Sequence, residues 1–160
     1  MFAKPKLYLE TTIPSYLVSK PSRDLRLAAD QEQTIEWWEE HRGRFEIFVS
    51  AVVLREVSKG NPEMSQKRVD ALSGIPLLSP TGESEQLTIR LLEEVVPANA
   101  ADDAAHIAIA TVHGIDFLLT WNCKHINNRY TTRKIEECCQ KMGFTCPVIA
   151  TPTELMEIEL

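Results

Sequence analysis

The sequence predicts an α/β fold with a mostly parallel sheet, and three observations carry that reading. Apolar runs of strand length alternate with segments of helical periodicity along all 160 residues. Residues 116–121 (DFLLTW) are almost entirely apolar, as in a strand covered on both faces. Composition is that of a packed globular chain, with 44% hydrophobic and 25% charged residues. Parallel neighbours need crossover helices to return the chain. The expectation is therefore a three-layer α/β/α sandwich, with residues 1–160 forming one domain.

The elements follow in order. Residues 7–10 (LYLE) read as the first strand, after which TTIP turns into a helix. Residues 21–42 place Leu25, Ala28, Gln31, Ile35 and Trp38 at helical spacing, with Ser22 as the expected cap. Residues 45–50 (FEIFVS) read as the second strand, and Ser50 as the cap of a helix that Gly60 stops. Asn61 and Pro62 open a short helix through Leu72. A third strand is expected at 75–78, weakened by Pro76. Helices follow at 81–96, with Leu87, Leu91, Leu92 and Val95 at helical spacing, and at 100–113, Ala-rich and closed by Gly114. After the strand at 116–121 come a helix at 131–142, a strand at 148–150 and a helix at 153–158.

Charge and cysteine usage narrow the function classes. A net charge of −6 excludes a uniformly basic nucleic-acid glove. No apolar run approaches the roughly 20 residues that span a bilayer, and the polar-interrupted start is unlike a signal peptide, so a cytoplasmic protein with no membrane partner is expected. Cys123, Cys138, Cys139 and Cys146 lack a CxxC spacing and read as reduced thiols. A zinc site joining them with His125 is disfavoured, because adjacent residues on a helix diverge by about 100°. Phosphate-cradling, zinc-protease and serine-esterase motifs are absent.

Ligands in open parallel sheets bind beyond the carboxyl ends of the strands. Glu10 and Asn122 fall at two such ends. Glu56 shares a helix with Val52, Val53 and Val57, and two readings are open for it: a buried functional carboxylate, or a solvated partner of Lys59. Asp102 suits the dipole at the start of the Ala-rich helix, whereas Asp103 precedes a tightly packing AAHIAIA run. His106 and His113, near one helical face, read as packing or surface residues. Glu10, Glu56, Asp103 and Asn122 form a set of oxygen donors suited to Mg²⁺ or Mn²⁺. Residues 117–135 lack any acid and carry Lys124, Arg129, Arg133 and Lys134, interleaved with Trp121 and Tyr130, a pattern that suits phosphate contact and base stacking.

Three segments, LYLETTIPSYL, VSAVVLREV and DAAHIAIATVHGIDFLLTWNCKHINN, make the chain resemble PIN-domain proteins, in particular VapC-like toxin ribonucleases, over essentially its full length. The resemblance implies a metal-dependent endoribonuclease hydrolysing RNA phosphodiesters, the toxin-like member of a toxin–antitoxin pair, with a small antitoxin partner and a homodimeric state. It places the four acidic positions of the family on Glu10, Glu56, Asp103 and Asn122. Glu10, Asp103 and Glu56 would hold the ion, Thr11 and Thr120 would support the carboxylates, and Lys124, His125 and Arg129 would hold RNA. Two positions depart from the family pattern: Glu10 and Asn122 stand where Asp is usual. The alternative is a PIN-fold module that binds RNA or protein without cleavage. A phospho-acceptor receiver domain fits less well, because LYLETT lacks the acidic pair expected after its first strand.

Overall fold

The computed structural model describes residues 3–158. Five parallel strands form one sheet in the order β3-β2-β1-β4-β5: β1 Lys6–Leu9, β2 Glu46–Ser50, β3 Leu77–Leu78, β4 Phe117–Leu119 and β5 Val148–Ala150. The helices are α1 Thr12–Val18, α2 Leu25–Glu36, α3 Ala51–Val57, α4 Pro62–Ala71, α5 Gly82–Glu94, α6 Ala101–Val112, α7 Arg129–Lys141 and α8 Pro152–Glu157. Right-handed crossovers put connections that run in opposite directions across a sheet on opposite faces. The helix contacts follow that division. α1 packs on α2 and α4, and α2 on α8, whereas α5 packs on α6 and α7; α3 touches both α4 and α6. The α/β/α sandwich is thus the expected one.

Sequence causes are visible at each layer. Leu7, Tyr8 and Leu9 of the central strand are fully buried, as are Leu118 and Leu119, because helices cover both faces of the sheet. Small side chains at Ala104, Ala108 and Ala110 let α6 lie close to its neighbours, and Ile107 fills the space between. Gly114, at φ +69°, ends the helix in the left-handed conformation a glycine accepts without strain. Among the described residues no helix is long and apolar enough to cross a membrane.

Several expected boundaries shift. The helix expected at 21–42 begins at Leu25, capped by Asp24, whose side chain accepts from the Leu27 N–H; Ser22 lies outside it and accepts from the Asp24 N–H. It continues as a π turn, Trp37–His41, and a 3₁₀ turn, Arg42–Arg44. Its buried stripe runs through Gln31, Thr34 and Trp37, while Leu25 is 87% exposed, so the inward face is rotated from the expected one. Ser50 occupies the cap position of α3, yet its hydroxyl bonds Tyr8 instead of the helix. β3 keeps only two residues, because Pro76 has no N–H to give a ladder and contributes only its carbonyl, to the Val49 N–H. β4 ends at Leu119, three residues being enough to cross the core.

Core packing predicts a sharp contrast between two isoleucines. Ile107→Ala, at a fully buried site, should lower unfolding free energy by about 2–5 kcal/mol. Ile89→Ala, at a 56% exposed site, should change it by less than about 0.5 kcal/mol in the same urea titration.

Candidate active site

The strand order reverses direction at β1, between β2 and β4, and such switch points leave a crevice beyond the strand ends. Glu10 follows β1 directly, with its N–H on the Leu119 carbonyl at 3.1 Å, and only 3% of it is exposed. Its Oε1 accepts three hydrogen bonds, from the Thr12 N–H (3.0 Å), the Thr12 hydroxyl (2.5 Å) and the Thr120 hydroxyl (2.8 Å). Those hydroxyls are themselves fixed, since Thr12 Oγ1 accepts from the Trp121 N–H and Thr120 Oγ1 from the Asn122 N–H. One carboxylate oxygen therefore ties the start of α1 to the end of β4.

Glu56, from α3, is turned inward. Its Oε1 accepts from the Thr11 hydroxyl (2.7 Å) and from His106 Nε2–H (2.5 Å). The surface reading is met elsewhere on the helix, where Arg55 pairs with Asp102. Asp103, from the first turn of α6, uses Oδ2 to accept from His125 Nδ1–H at 2.8 Å. Among the described residues Glu10 Oε2, Glu56 Oε2 and Asp103 Oδ1 receive no hydrogen bond, so each carboxylate is anchored through one oxygen and leaves the other unengaged.

Glu56, Asp103 and His125 line one open cavity of about 310 Å³, with Asp102 at its rim. Glu10 is buried and is not among the residues lining that cavity, but its charge is felt by His106 together with those of Glu56 and Asp103. Asn122 is placed differently from a free ligand: its Oδ1 accepts the His125 N–H at 3.0 Å and so shapes the loop that lays the imidazole on Asp103. Thr120 supports Glu10, whereas Thr11 supports Glu56. Lys124 and Arg129 are exposed and form no ion pair among the described residues. Arg133 pairs with Glu137, and the Lys134 ammonium lies over the Tyr130 ring. Trp121 stacks on Tyr16 and donates its Nε1–H to Thr34, clasping α1 and α2 to the loop after β4.

The sequence reading missed Thr12, Tyr8 and His106. His106 is fully buried and accepts or donates at Nδ1 to the Tyr8 hydroxyl, 2.7 Å away. The available signal was its spacing from Asp103, three residues on along the same helix face. His113 is elsewhere, bonded to the Ser79 carbonyl. All four cysteines are free thiols, and burial pushes Cys138 up to about 11.

Electrostatics follow from burial. Loss of solvent pushes the Glu10 carboxyl above its ordinary range, against the opposing pull of His106 and the threonine donors. Burial acts the same way on Glu56, but the bond and charge of His106, with Thr11, bring it below the usual range. Burial disfavours charge on His106, and the bond to Glu56 with the surrounding carboxylates outweighs it, so that imidazole is raised. Glu10, Glu56 and Asp103 offer hard oxygen, beside the one imidazole of His125, and a carboxylate with an unengaged oxygen is suited to a hard cation. Among the described residues no three His, Cys, Asp or Glu side chains close into a ready coordination sphere. The fit is to an ion that keeps several of its waters, as Mg²⁺ does.

The fold has a counterpart among solved structures. A chain in the crystal structure of VapBC2 from Rickettsia felis bound to a DNA fragment from their promoter superposes with a TM-score of 0.53, covering 91% of this chain and 97% of that one at 17% identity. The fold is PIN-like. At that identity the likeness concerns the PIN-like architecture alone. No family model matches the chain, and no curated protein is similar to it.

The charge arrangement fixes a pH response. Glu10 and His106 are both raised, so the stability they contribute is complete below their unfolded values and is lost as pH climbs through their folded ones. Glu56 is lowered, so its contribution is lost on the acid side instead. In EDTA, the thermal midpoint should fall as pH rises from the ordinary carboxyl range through and above the ordinary imidazole range. Glu10→Gln, which keeps the Oε1 acceptor and removes the charge, should show a smaller fall and a higher midpoint than wild type at the alkaline end.

Proposed function

We propose that this chain is a metal-dependent endoribonuclease, the toxin-like member of a toxin–antitoxin pair. The observation that carries the reading is the arrangement of Glu10, Glu56 and Asp103 at the topological switch point, each with one oxygen held by the protein and one left free. Glu10, Glu56 and Asp103 would hold Mg²⁺ or Mn²⁺. When bound, such an ion lowers the pKa of an attacking water and neutralises charge building on the phosphoryl group.

The chain's own residues supply order. Thr12 and Thr120 fix Glu10, Thr11 and His106 fix Glu56, and His125 fixes Asp103, so little reorganisation is needed when charge develops. Asn122 acts through the loop, by holding the His125 backbone. Exposed Lys124 and Arg129 lie on the same loop and the helix start after it, where they would contact RNA phosphates; His125, at the cavity, would meet the substrate between them. The PIN-like fold shared with a toxin–antitoxin complex supports an antitoxin protein as partner, and we further take the chain to be a cytoplasmic homodimer.

Incubation of the chain with a mixed-sequence RNA and Mn²⁺ should release internal fragments, and EDTA should stop the reaction. Asp103→Asn should reduce cleavage to background while leaving the thermal midpoint in EDTA equal or higher, because removing one of several neighbouring like charges relieves repulsion. Binding of RNA that EDTA does not disturb, with no fragments in Mn²⁺, would instead mark a binding module. Undiminished cleavage by Asp103→Asn would remove that residue from the site.

A further inference from the structure

The hydrogen bonds behind Glu56 form a closed circuit. Ser50 Oγ lies 2.7 Å from the Tyr8 hydroxyl, Tyr8 lies 2.7 Å from His106 Nδ1, and His106 Nε2–H donates to Glu56 Oε1. Ser50 immediately precedes α3, the helix that carries Glu56, so the backbone of that helix completes the ring. Ser50, Tyr8 and His106 are all fully buried.

Three polar groups in a dry interior are costly unless each is paired, and apolar residues of similar size would fill the same volume without that cost. Their pairing is directional. Rotating the Glu56 side chain breaks its bond to His106 Nε2 and leaves a fully buried ring without its carboxylate partner. Moving His106 breaks its bond to Tyr8, and moving Tyr8 breaks its bond to the residue that starts α3. The edge-on packing of the Tyr8 and His106 rings, 5.7 Å apart, restricts both further. Thr11 adds a second donor to Glu56 Oε1 from the site side.

The geometry points to Tyr8 and His106 as positioning residues that fix Glu56 in the single orientation presenting Oε2 to the cavity. The inference deepens the nuclease reading and rests on it for the role of Glu56. His106 acts here through Nε2, and Nδ1 serves to hold the ring on Tyr8.

Two amides separate these roles, since a glutamine places its NH₂ near the position of imidazole Nε2 and an asparagine near that of Nδ1. Wild type, His106→Gln, His106→Asn and Tyr8→Phe would be labelled with ¹³C-glutamate and studied in EDTA, with thermal midpoints recorded to verify folding. Three-bond couplings should report one Glu56 rotamer in wild type, full rotamer averaging in His106→Asn, and a smaller, similar degree of averaging in His106→Gln and Tyr8→Phe, each of which keeps the donor to Glu56 and loses the bond between Tyr8 and residue 106. Calorimetric titration with Mn²⁺ alone should show affinity about 10–100-fold weaker in His106→Asn than in wild type. Introduced into Glu56→Gln, His106→Asn should cause no further loss, because both changes remove one interaction. Equal rotamer behaviour in His106→Gln and His106→Asn would overturn the proposal. So would an undiminished effect of His106→Asn in the Glu56→Gln background. Should wild type bind no Mn²⁺, the nuclease reading falls, and the couplings by themselves decide whether His106 fixes Glu56.

Discussion

Burying the carboxylate of Glu10 at the end of the central strand costs solvation free energy, and the surrounding structure is arranged to offset that cost. Three donors converge on Oε1 from two elements, and their own acceptor sites are filled by backbone N–H groups of Trp121 and Asn122. The start of α1, the end of β4 and the loop beyond it are therefore set by a single oxygen. From that loop Asn122 positions His125, and His125 holds Asp103. Glu56 is secured from behind by the fully buried Tyr8 and His106. The acidic crevice is thus continuous with the core through hydrogen bonds, which is what holds like charges near one another in the absence of an ion.

The PIN-like topology supplies the place for this arrangement. With β1 central and the chain departing to β2 on one side and later to β4 on the other, the connections leave for opposite faces where Glu10 and Thr120 stand side by side. α3 and α6 touch each other, and the last turn of α3 and the first turn of α6 bring Glu56 and Asp103 to the same cavity. The surface ion pair of Arg55 with Asp102 lies next to both and takes up the charges that point to solvent. Neighbouring residues on each helix are in this way divided between a solvent role and a crevice role.

Much of this was legible in the sequence because burial leaves a mark on residue type. LYL, FLL and the Ala-rich helix announce layers covered on both sides, and the acidic residues at element ends stand out against them. Boundaries were less legible, since capping is decided by competition between neighbours: Asp24 takes the role that Ser22 is equally suited to by type, and Ser50 gives its hydroxyl to Tyr8. The inward face of α2 kept the expected Gln31 but was otherwise misjudged, because Trp37 packs against Phe45, a partner outside the helical period, and Thr34 is buried with it. His106 was hidden by its apolar neighbours, which mark the position as core without saying what a polar ring would bond there. Asn122 was identified by its place after a buried strand, but only the loop geometry reveals that its oxygen is already engaged.

On the function proposed above, Glu10, Glu56 and Asp103, each anchored through one oxygen, would turn the other toward a shared ion. Crystals grown in EDTA and then equilibrated with Mn²⁺, measured near the manganese absorption edge, test it most directly. An anomalous peak is expected in the crevice among Glu10 Oε2, Glu56 Oε2 and Asp103 Oδ1, with ordered waters completing its coordination and the threonine and histidine bonds intact. A peak confined to other carboxylates, or none at this crevice in a crystal that binds Mn²⁺ elsewhere, would contradict it.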